Sequence, residues 1–151
     1  MSASTTTPSS TANDGSAESR LHGAAWRGDL EEVIRLVEGG ADLNWRDSIG
    51  ETALFGAAAW GHVEVVRYLL SAGAECNVAE SHGYTPLHWA ASHGNLETIK
   101  VLIEAGADPT VADQQGRLPV DVAHEHGKGA HVSHLKSVGL PIASKRSEEK
   151  A

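Results

Sequence analysis

The sequence has few of the residues that would cross-link the chain, anchor it in a membrane or make it basic. Its single cysteine, Cys76, cannot form a disulfide within the chain, and a reducing intracellular compartment, cytoplasm or nucleus, is therefore expected. No apolar run approaches the ~18 residues that a membrane span needs. Acidic residues number 20 against 12 basic ones, for a net charge of -8. Because phosphate binding requires a basic surface, neither nucleic acid nor an anionic membrane is expected as a partner.

Enzyme signatures are missing as well. The chain contains no G-x-S-x-G motif, no phosphate loop of the G-x-x-x-x-G-K-[ST] type and no dinucleotide-binding fingerprint. Cys76 follows Glu75, and a neighbouring carboxylate raises the pKa of a thiol, which disfavours a catalytic thiolate. The sequence therefore predicts no catalytic residue and no cofactor.

Glycine, in contrast, is abundant and periodic. Gly50, Gly83 and Gly116 are each 33 residues apart. Four more columns keep this spacing: Ala24, Ala57, Ala90 and Ala123; Gly28, Gly61, Gly94 and Gly127; Leu36, Leu69, Leu102 and Leu135; Gly40, Gly73, Gly106 and Gly139. A fixed period of this length indicates stacked repeat units. The spacing predicts one repeat domain over 18–140, with units at about 19–46, 47–79, 80–112 and 113–140.

The two ends of the chain lack this pattern. Residues 1–17 are rich in serine and threonine, with no Lys or Arg and no apolar core, which argues against a secretory or transit peptide. Residues 141–151 are also polar and irregular. We expect both segments to be disordered, because neither can bury enough apolar surface to offset the entropy of ordering.

The third unit indicates how each repeat folds. Thr85 can cap a helix, and Pro86 suits the first helical position because its missing N–H is not needed there. Gly94 should end this helix and Asn95 should begin a second one. The second helix carries an apolar stripe made of Ile99, Leu102 and Ile103. Helices this short cannot bury their apolar faces alone, so neighbouring units must stack on them.

The stretch from Gly83 to Ala91 reads G-Y-T-P-L-H-W-A-A and resembles the T-P-L-H-x-A signature of the ankyrin repeat family. The resemblance implies an all-α repeat solenoid, an ankyrin array of four helix-turn-helix units joined by β-hairpin-like loops. It also implies a non-catalytic protein–protein interaction module, whose partner binds a concave face of hairpin tips and first helices. A chain consisting mostly of one array favours an adaptor, an inhibitor or an assembly chaperone. A monomer is expected.

The resemblance also places the variable, partner-binding positions of the family on this chain. The selected residues are Trp26, Arg27, Arg46, Ile49, Trp60, His82, Tyr84, His93 and Arg117. The family's further variable positions fall at Ser48, Glu51, Ala59, Ala79, Ser81, Ser92, Ala112, Gln114, Gln115, Glu125 and His126. Because tryptophan and tyrosine are enriched at interface hot spots, we predict a binding surface centred on Trp26, Trp60 and Tyr84. The alternative is that both tryptophans fold back into gaps between small residues, and Trp89 remains open between packing and binding.

Nine histidines invite a metal-binding interpretation. His22 and His88 occupy the histidine position of the signature, where the resemblance implies a structural role. The alternative function is metal binding by the cluster in the fourth unit, which comprises His124, His126, His131 and His134. No C-x-x-C or H-E-x-x-H motif accompanies this cluster, so no residue is assigned as a metal ligand.

Two asparagines occupy equivalent positions at the starts of loops. Asn44 and Asn77 lie in a setting that resembles the one in which ankyrin asparagines are hydroxylated by an oxygen-sensing dioxygenase. The alternative is that asparagine simply suits the turn.

Overall fold

The computed structural model describes residues 15–138 as an array of eight helices, with no strand in that range. Residues 1–14 and 139–151, including most of the two predicted disordered segments and the end of the fourth unit, lie outside it. The helices are α1 (Ala17–Arg27), α2 (Leu30–Glu38), α3 (Ala53–Ala59), α4 (Val63–Ser71), α5 (Pro86–His93), α6 (Leu96–Glu104), α7 (Pro119–Glu125) and α8 (Gly129–Val138).

The eight helices form two layers. In the first layer α3 packs between α1 and α5, and α5 packs between α3 and α7. In the second layer α4 packs between α2 and α6, and α6 also contacts α8. Each helix thus lies mainly against its own pair-mate and the equivalent helices of adjacent units. The predicted all-helical repeat fold is confirmed.

The predicted capping residues begin the helices. Thr85 is the N-cap of α5, with Pro86 following at the first helical position. The Asn95 side chain accepts a hydrogen bond from the Thr98 backbone N–H at 2.8 Å and so caps α6. At the start of the array, Ser16 caps α1 and Ala17 is its first residue. The sequence predicts disorder through Ala17, whereas the structure begins α1 at this residue.

The core combines small and large apolar residues in the first layer, where Leu54, Phe55 and Leu87 are buried, with branched residues in the second. Ala57 and Ala90 have no exposed surface, which lets the first-layer helices approach closely. Leu69 and Leu102, on α4 and α6, are also fully buried. Each buried leucine contributes about 1.5–3 kcal/mol through the hydrophobic effect. These alanine and leucine columns therefore hold neighbouring units together.

The loops between units are turns that bond to each other. Within each loop an acidic residue donates its backbone N–H across the turn, from Glu80 to the Tyr84 carbonyl at 2.9 Å, for example. The Ser81 N–H also donates to the Ile49 carbonyl of the preceding loop at 2.8 Å. The Gln114 N–H repeats this bond one unit later, to a carbonyl at 3.1 Å. Successive loops are thus joined along the array without regular strands.

Asn44 and Asn77 bridge adjacent units with both ends of their side chains. The Asn77 Oδ1 accepts from the Asp108 N–H at 2.8 Å, and its Nδ2 donates to the Gly106 carbonyl at 3.0 Å. Asn44 makes the equivalent bond from its Oδ1 to the Glu75 N–H at 2.9 Å. These bonds explain why asparagine is used at these positions. Hydroxylation at either residue stays a prediction.

The second unit departs from the signature at one buried position. In the third unit His88 Nδ1 accepts a hydrogen bond from the Thr85 hydroxyl at 2.9 Å. Phe55 occupies the equivalent place in the second unit and offers no acceptor. As a result the buried Thr52 hydroxyl has no hydrogen-bond partner among the residues described.

This difference predicts unequal costs for the same substitution. Thr85→Val should lower the free energy of unfolding by about 1 kcal/mol, because it removes a helix cap. Thr52→Val should change it by less than about 0.5 kcal/mol, since that hydroxyl makes no hydrogen bond within residues 15–138. Urea unfolding followed by circular dichroism measures both values. Equal losses in the two variants would contradict this assignment.

Candidate functional site

Four ring-bearing side chains form a continuous row on the first layer of helices. Trp26 lies in α1, Trp60 directly follows α3, His93 ends α5 and His126 directly follows α7. The ring centroids are 5.9 Å apart for Trp26 and Trp60, and 6.4 Å apart for Trp60 and His93. His93 and His126 follow at 5.2 Å. This row, which we call the aromatic stripe, crosses all four units.

The two tryptophans of the stripe are exposed. Trp26 is 47% and Trp60 is 52% exposed, so both rings present apolar surface to solvent. Trp26 also packs over Gly56, because a Cβ at Gly56 would lie only 2.9 Å from Cε3 of its ring. Trp26 therefore fills a gap with one edge and exposes the other, and its role in binding stays a prediction.

Three of the variable positions are buried rather than exposed. Ala59 is 4%, Ser92 is 5% and Glu51 is 8% exposed. All seven residues of α3 are buried, since this helix is packed between α1 and α5. Trp60 is exposed because it directly follows the last residue of α3 and so lies outside the packed helix. The expectation that these three positions form part of the exposed surface is wrong.

Tyr84 joins the stripe through Trp89. The Tyr84 and Trp89 rings are nearly perpendicular with centroids 5.7 Å apart, and Trp89 lies 5.6 Å from His93. Tyr84 is half-buried and therefore less accessible than its hairpin position suggested. Trp89, which the sequence left open, occupies the centre of this second group of rings. The signal that could have identified it is a large aromatic residue in a column that otherwise holds small or medium residues.

Arg117 holds the Tyr84 side of the site in place. Its Nη2 donates to the Tyr84 hydroxyl at 2.7 Å, and its guanidinium lies 5.7 Å from the centre of that ring. Its Nε donates to Asp113 Oδ2 at 2.9 Å and its Nη1 to Glu125 Oε1 at 2.8 Å. The Arg117 charge is thus balanced by two carboxylates of its own chain.

The remaining predicted site residues are exposed, and most of them lie on the loops. Ile49 is 42% exposed, and His82 is exposed on the next loop. Arg46 is exposed too, but its Nη2 donates to the Ala79 carbonyl at 2.7 Å. Arg27 adjoins Trp26 and is exposed at the end of α1. These residues lie outside the stripe, and the His82 ring lies 6.1 Å from the Tyr84 ring.

A pocket of about 140 Å³ lies where the stripe meets the Tyr84 group. Its walls include Tyr84, Trp89, His93, Arg117, Val122 and His126. The Trp89 Nε1 is buried and has no acceptor within the described part of the chain. Burial, and then the nearby His126 and Lys128, lower the pKa of His93. The pocket therefore has aromatic walls, while the Trp89 N–H is enclosed by protein and does not open into it.

The histidines of the signature carry structural hydrogen bonds between units. His22 Nε2 bonds to the Glu51 carbonyl at 2.8 Å, and His88 Nε2 bonds to the Arg117 carbonyl at 2.9 Å. Burial lowers the pKa of His88, which keeps its imidazole neutral. These contacts agree with the structural role that the resemblance implied for His22 and His88.

The histidines of the fourth unit do not converge. His131 is 7% exposed and its Nδ1 bonds to the Ala91 carbonyl at 3.0 Å, so its ring points into the array. His126 lies instead beside His93 in the stripe. Among residues 15–138, no three or more His, Cys, Asp or Glu side chains are grouped as metal ligands would be. The structure thus offers no support for the metal-binding alternative.

These features define a two-layered helical repeat array with a row of exposed rings on one layer. None of its helices within 15–138 has the length and apolar character of a membrane span. The family model described as ankyrin repeats (3 copies) matches residues 21–113, more than half of the chain, so the chain belongs to the ankyrin repeat family. Ankyrin repeats are generally protein–protein interaction modules and generally non-catalytic. A comparison with curated proteins found no match.

Proposed function

We propose that this protein is a non-catalytic adaptor, inhibitor or assembly chaperone that binds an intracellular protein partner as a monomer. The partner docks on the concave face made of the first-layer helices and the loop tips, within the repeat domain at 18–140. The observation that carries this proposal is the aromatic stripe, with two adjacent tryptophans about half exposed.

The stripe has the physical properties of an interface hot spot. Tryptophan supplies a large apolar area and is enriched among residues that dominate binding energy. Trp26 and Trp60 contact each other edge to face, and Trp26 is further held over Gly56. Because the rings are already positioned, a partner would bind them at a low cost in conformational entropy.

Charge contributes less to this face than the sequence suggested. The Arg117 guanidinium is balanced by Asp113 and Glu125, and the Arg46 side chain is hydrogen-bonded to a backbone carbonyl. Arg27 remains exposed beside Trp26. We infer that ring contacts supply most of the affinity, while charges at the rim influence the association rate and the choice of partner.

Trp60→Ala should weaken partner binding by at least about tenfold, because it removes the more exposed of the two tryptophans of the stripe. The full chain is used to capture partners from a native lysate, and the affinity of the captured protein is then measured by calorimetry. Lys100→Ala, at an exposed position on the second-layer helix α6, is the matched control and should leave affinity unchanged.

Trp26→Ala separates packing from binding. Because Trp26 covers Gly56, this variant should lose stability as well as affinity, whereas Trp60→Ala should lose mainly affinity. Full affinity in both variants, with unchanged unfolding curves, would refute the assignment of the stripe as the binding surface. A loss of stability alone would assign both rings to packing.

A further inference from the structure

We propose that the exposed imidazoles of His93 and His126 bind a carboxylate of the partner, the side chain of an aspartate or a glutamate. This inference rests on the proposed function and names the charge that the partner brings to this end of the aromatic stripe. The two rings are in contact, with centroids 5.2 Å apart and planes inclined by 62°, and both residues are exposed. A docked segment therefore meets the two rings together.

Each ring bonds to its own chain through one nitrogen and leaves the other for a ligand. His93 Nδ1 lies 2.8 Å from the Ser92 hydroxyl, and His126 Nδ1 lies 3.0 Å from the Val122 carbonyl. Neither Nε2 makes a hydrogen bond within residues 15–138. In the protonated rings both Nδ1–H groups donate to these oxygens, and both Nε2–H groups remain to donate to a ligand. A carboxylate has two oxygens and accepts from both.

The charges around the pair favour an anion. Burial, followed by the nearby His126 and Lys128, lowers the pKa of His93, and no carboxylate of the described chain offsets them. Lys128 forms no ion pair within residues 15–138 either. A bound carboxylate would face one permanent cation and two imidazoles, and its charge would raise the pKa of both rings. Binding of the carboxylate and protonation of the rings therefore favour each other.

The carboxylates close to the pair in the chain already accept hydrogen bonds. Glu125 Oε1 accepts from Arg117 Nη1 at 2.8 Å, and Asp121 Oδ2 accepts from the Leu118 N–H at 2.8 Å. The Arg117 guanidinium is also paired with Asp113. The two imidazoles therefore have no carboxylate of their own, and a partner can supply one.

The other helices packed against α5 and α7 do not change this balance. Helix α3 contains no ionisable residue. The further ionisable residues of α5, α6, α7 and α8 are His88, Glu97, Lys100, Glu104, His124, His131, His134 and Lys136. His88 and His131 each bond to a backbone carbonyl inside the array. Because His126 and Lys128 are the charged groups that shift the pKa of His93, the listed residues do not determine its charge.

The neighbouring indole ring stabilises the protonated form of His93. The His93 ring lies 5.6 Å from the Trp89 ring, with planes inclined by 39°. A cation within about 6 Å of an indole centroid is attracted by its π electrons. This contact therefore favours the charged imidazole once a carboxylate has replaced the water around it.

Peptide libraries probed at two pH values test this proposal. Each library fixes its central residue as Asp, Glu, Asn, Gln, Lys or Leu, is otherwise randomised without acidic residues, and is probed with the labelled full chain. At about pH 5.5 we expect Asp or Glu to give at least about tenfold more capture than Asn or Gln, because charge-assisted hydrogen bonds replace neutral ones. At about pH 7.5 this ratio should fall at least about threefold, since the imidazoles lose their charge. Equal signals, a preference for any other residue, or a ratio that does not fall would overturn the proposal.

Three variants link the ratio to the imidazole pair. His93→Gln and His126→Gln each remove one imidazole at an exposed site, and each should lower the ratio at about pH 5.5 by at least about threefold. His124→Gln is the matched control, because His124 is exposed on α7 but lines a different cleft, beside the start of α8. It should keep the ratio and its pH dependence. Equal ratios in all three variants would assign the pH effect to the overall charge of the protein and overturn the proposal.

Trp60→Ala distinguishes this inference from the proposed function. It should lower capture by all libraries and keep the preference for Asp and Glu, because the imidazole pair is unchanged. Unchanged capture by Trp60→Ala would contradict the stripe as the main source of affinity. Loss of the acidic preference in wild type would contradict the carboxylate assignment alone.

Discussion

Gly83→Ala is expected to lower the free energy of unfolding by about 3–4 kcal/mol, combining backbone strain with a steric clash. Gly83 has φ of +83°, a left-handed conformation that residues with a Cβ rarely adopt. An added Cβ would also lie 2.8 Å from the Gln114 N and 3.0 Å from the Asp113 Cα. Both atoms belong to the backbone of the next loop, so that loop would have to move.

Gly116→Ala separates the two contributions. Gly116 holds the equivalent position one unit later, with φ of +81°, but a Cβ there would meet nothing within 4 Å. This variant should therefore lose only the strain, about 1–2 kcal/mol. Urea unfolding of both variants under the same conditions gives the comparison. Equal losses would mean that close contact between successive loops does not explain the glycine column.

Glu51→Gln is expected to stabilise the protein by about 2 kcal/mol near pH 8, a value reduced from the full pKa difference to allow for solvent screening. Burial, followed by the charges of Asp47 and Glu80, raises the pKa of Glu51 to about 7. The raised pKa means that the folded state prefers the protonated carboxyl. The stability from that neutral form is complete below the ordinary pKa of 4.5 and is lost as pH rises through about 7.

The measurement is the free energy of unfolding of wild type and Glu51→Gln across this pH range. The two proteins should be nearly equal near pH 4, and the variant should gain its advantage as pH rises. Glu64→Gln, at an exposed position on α4, is the matched control for loss of a surface carboxylate. A constant difference for Glu51→Gln would rule out ionisation of this carboxyl as the cause. Burial lowers the pKa of His88, which makes the stability of both proteins rise with pH. Comparing wild type and variant at the same pH cancels this contribution.

The buried position of Glu51 was not apparent from its sequence. Its column contains Tyr84 and Arg117 in the next two units, three unrelated side chains that together look like a variable surface position. In the structure Glu51 is 8% exposed, and the neighbouring carboxylates of Asp47 and Glu80 come from its own loop and from the next. The residue types found at equivalent positions of the repeats do not show whether a neighbouring unit buries the side chain at that position.

The amino-acid sequence by itself determined the repeat length, the helix starts and the family. Thr85, Pro86 and Asn95 act within their own unit, and Gly83 meets a backbone requirement that recurs every 33 residues. These requirements are local to each unit, so residues that recur every 33 positions are enough to identify them. The columns that contain Ala57 and Leu69 could also be identified from the sequence, because every stacked unit needs the same small and branched residues at the same places.

Only the tertiary structure decided which side chains are available to a partner. It buried Ala59 and Ser92, placed one edge of Trp26 over Gly56, and brought Trp89, His93 and His126 to one pocket. These outcomes depend on side-chain direction and on the neighbour across each stacking contact, and the neighbour is about one repeat away in the chain. Position within a repeat therefore predicts a residue's place in the fold, while exposure and pairing depend on contacts between repeats.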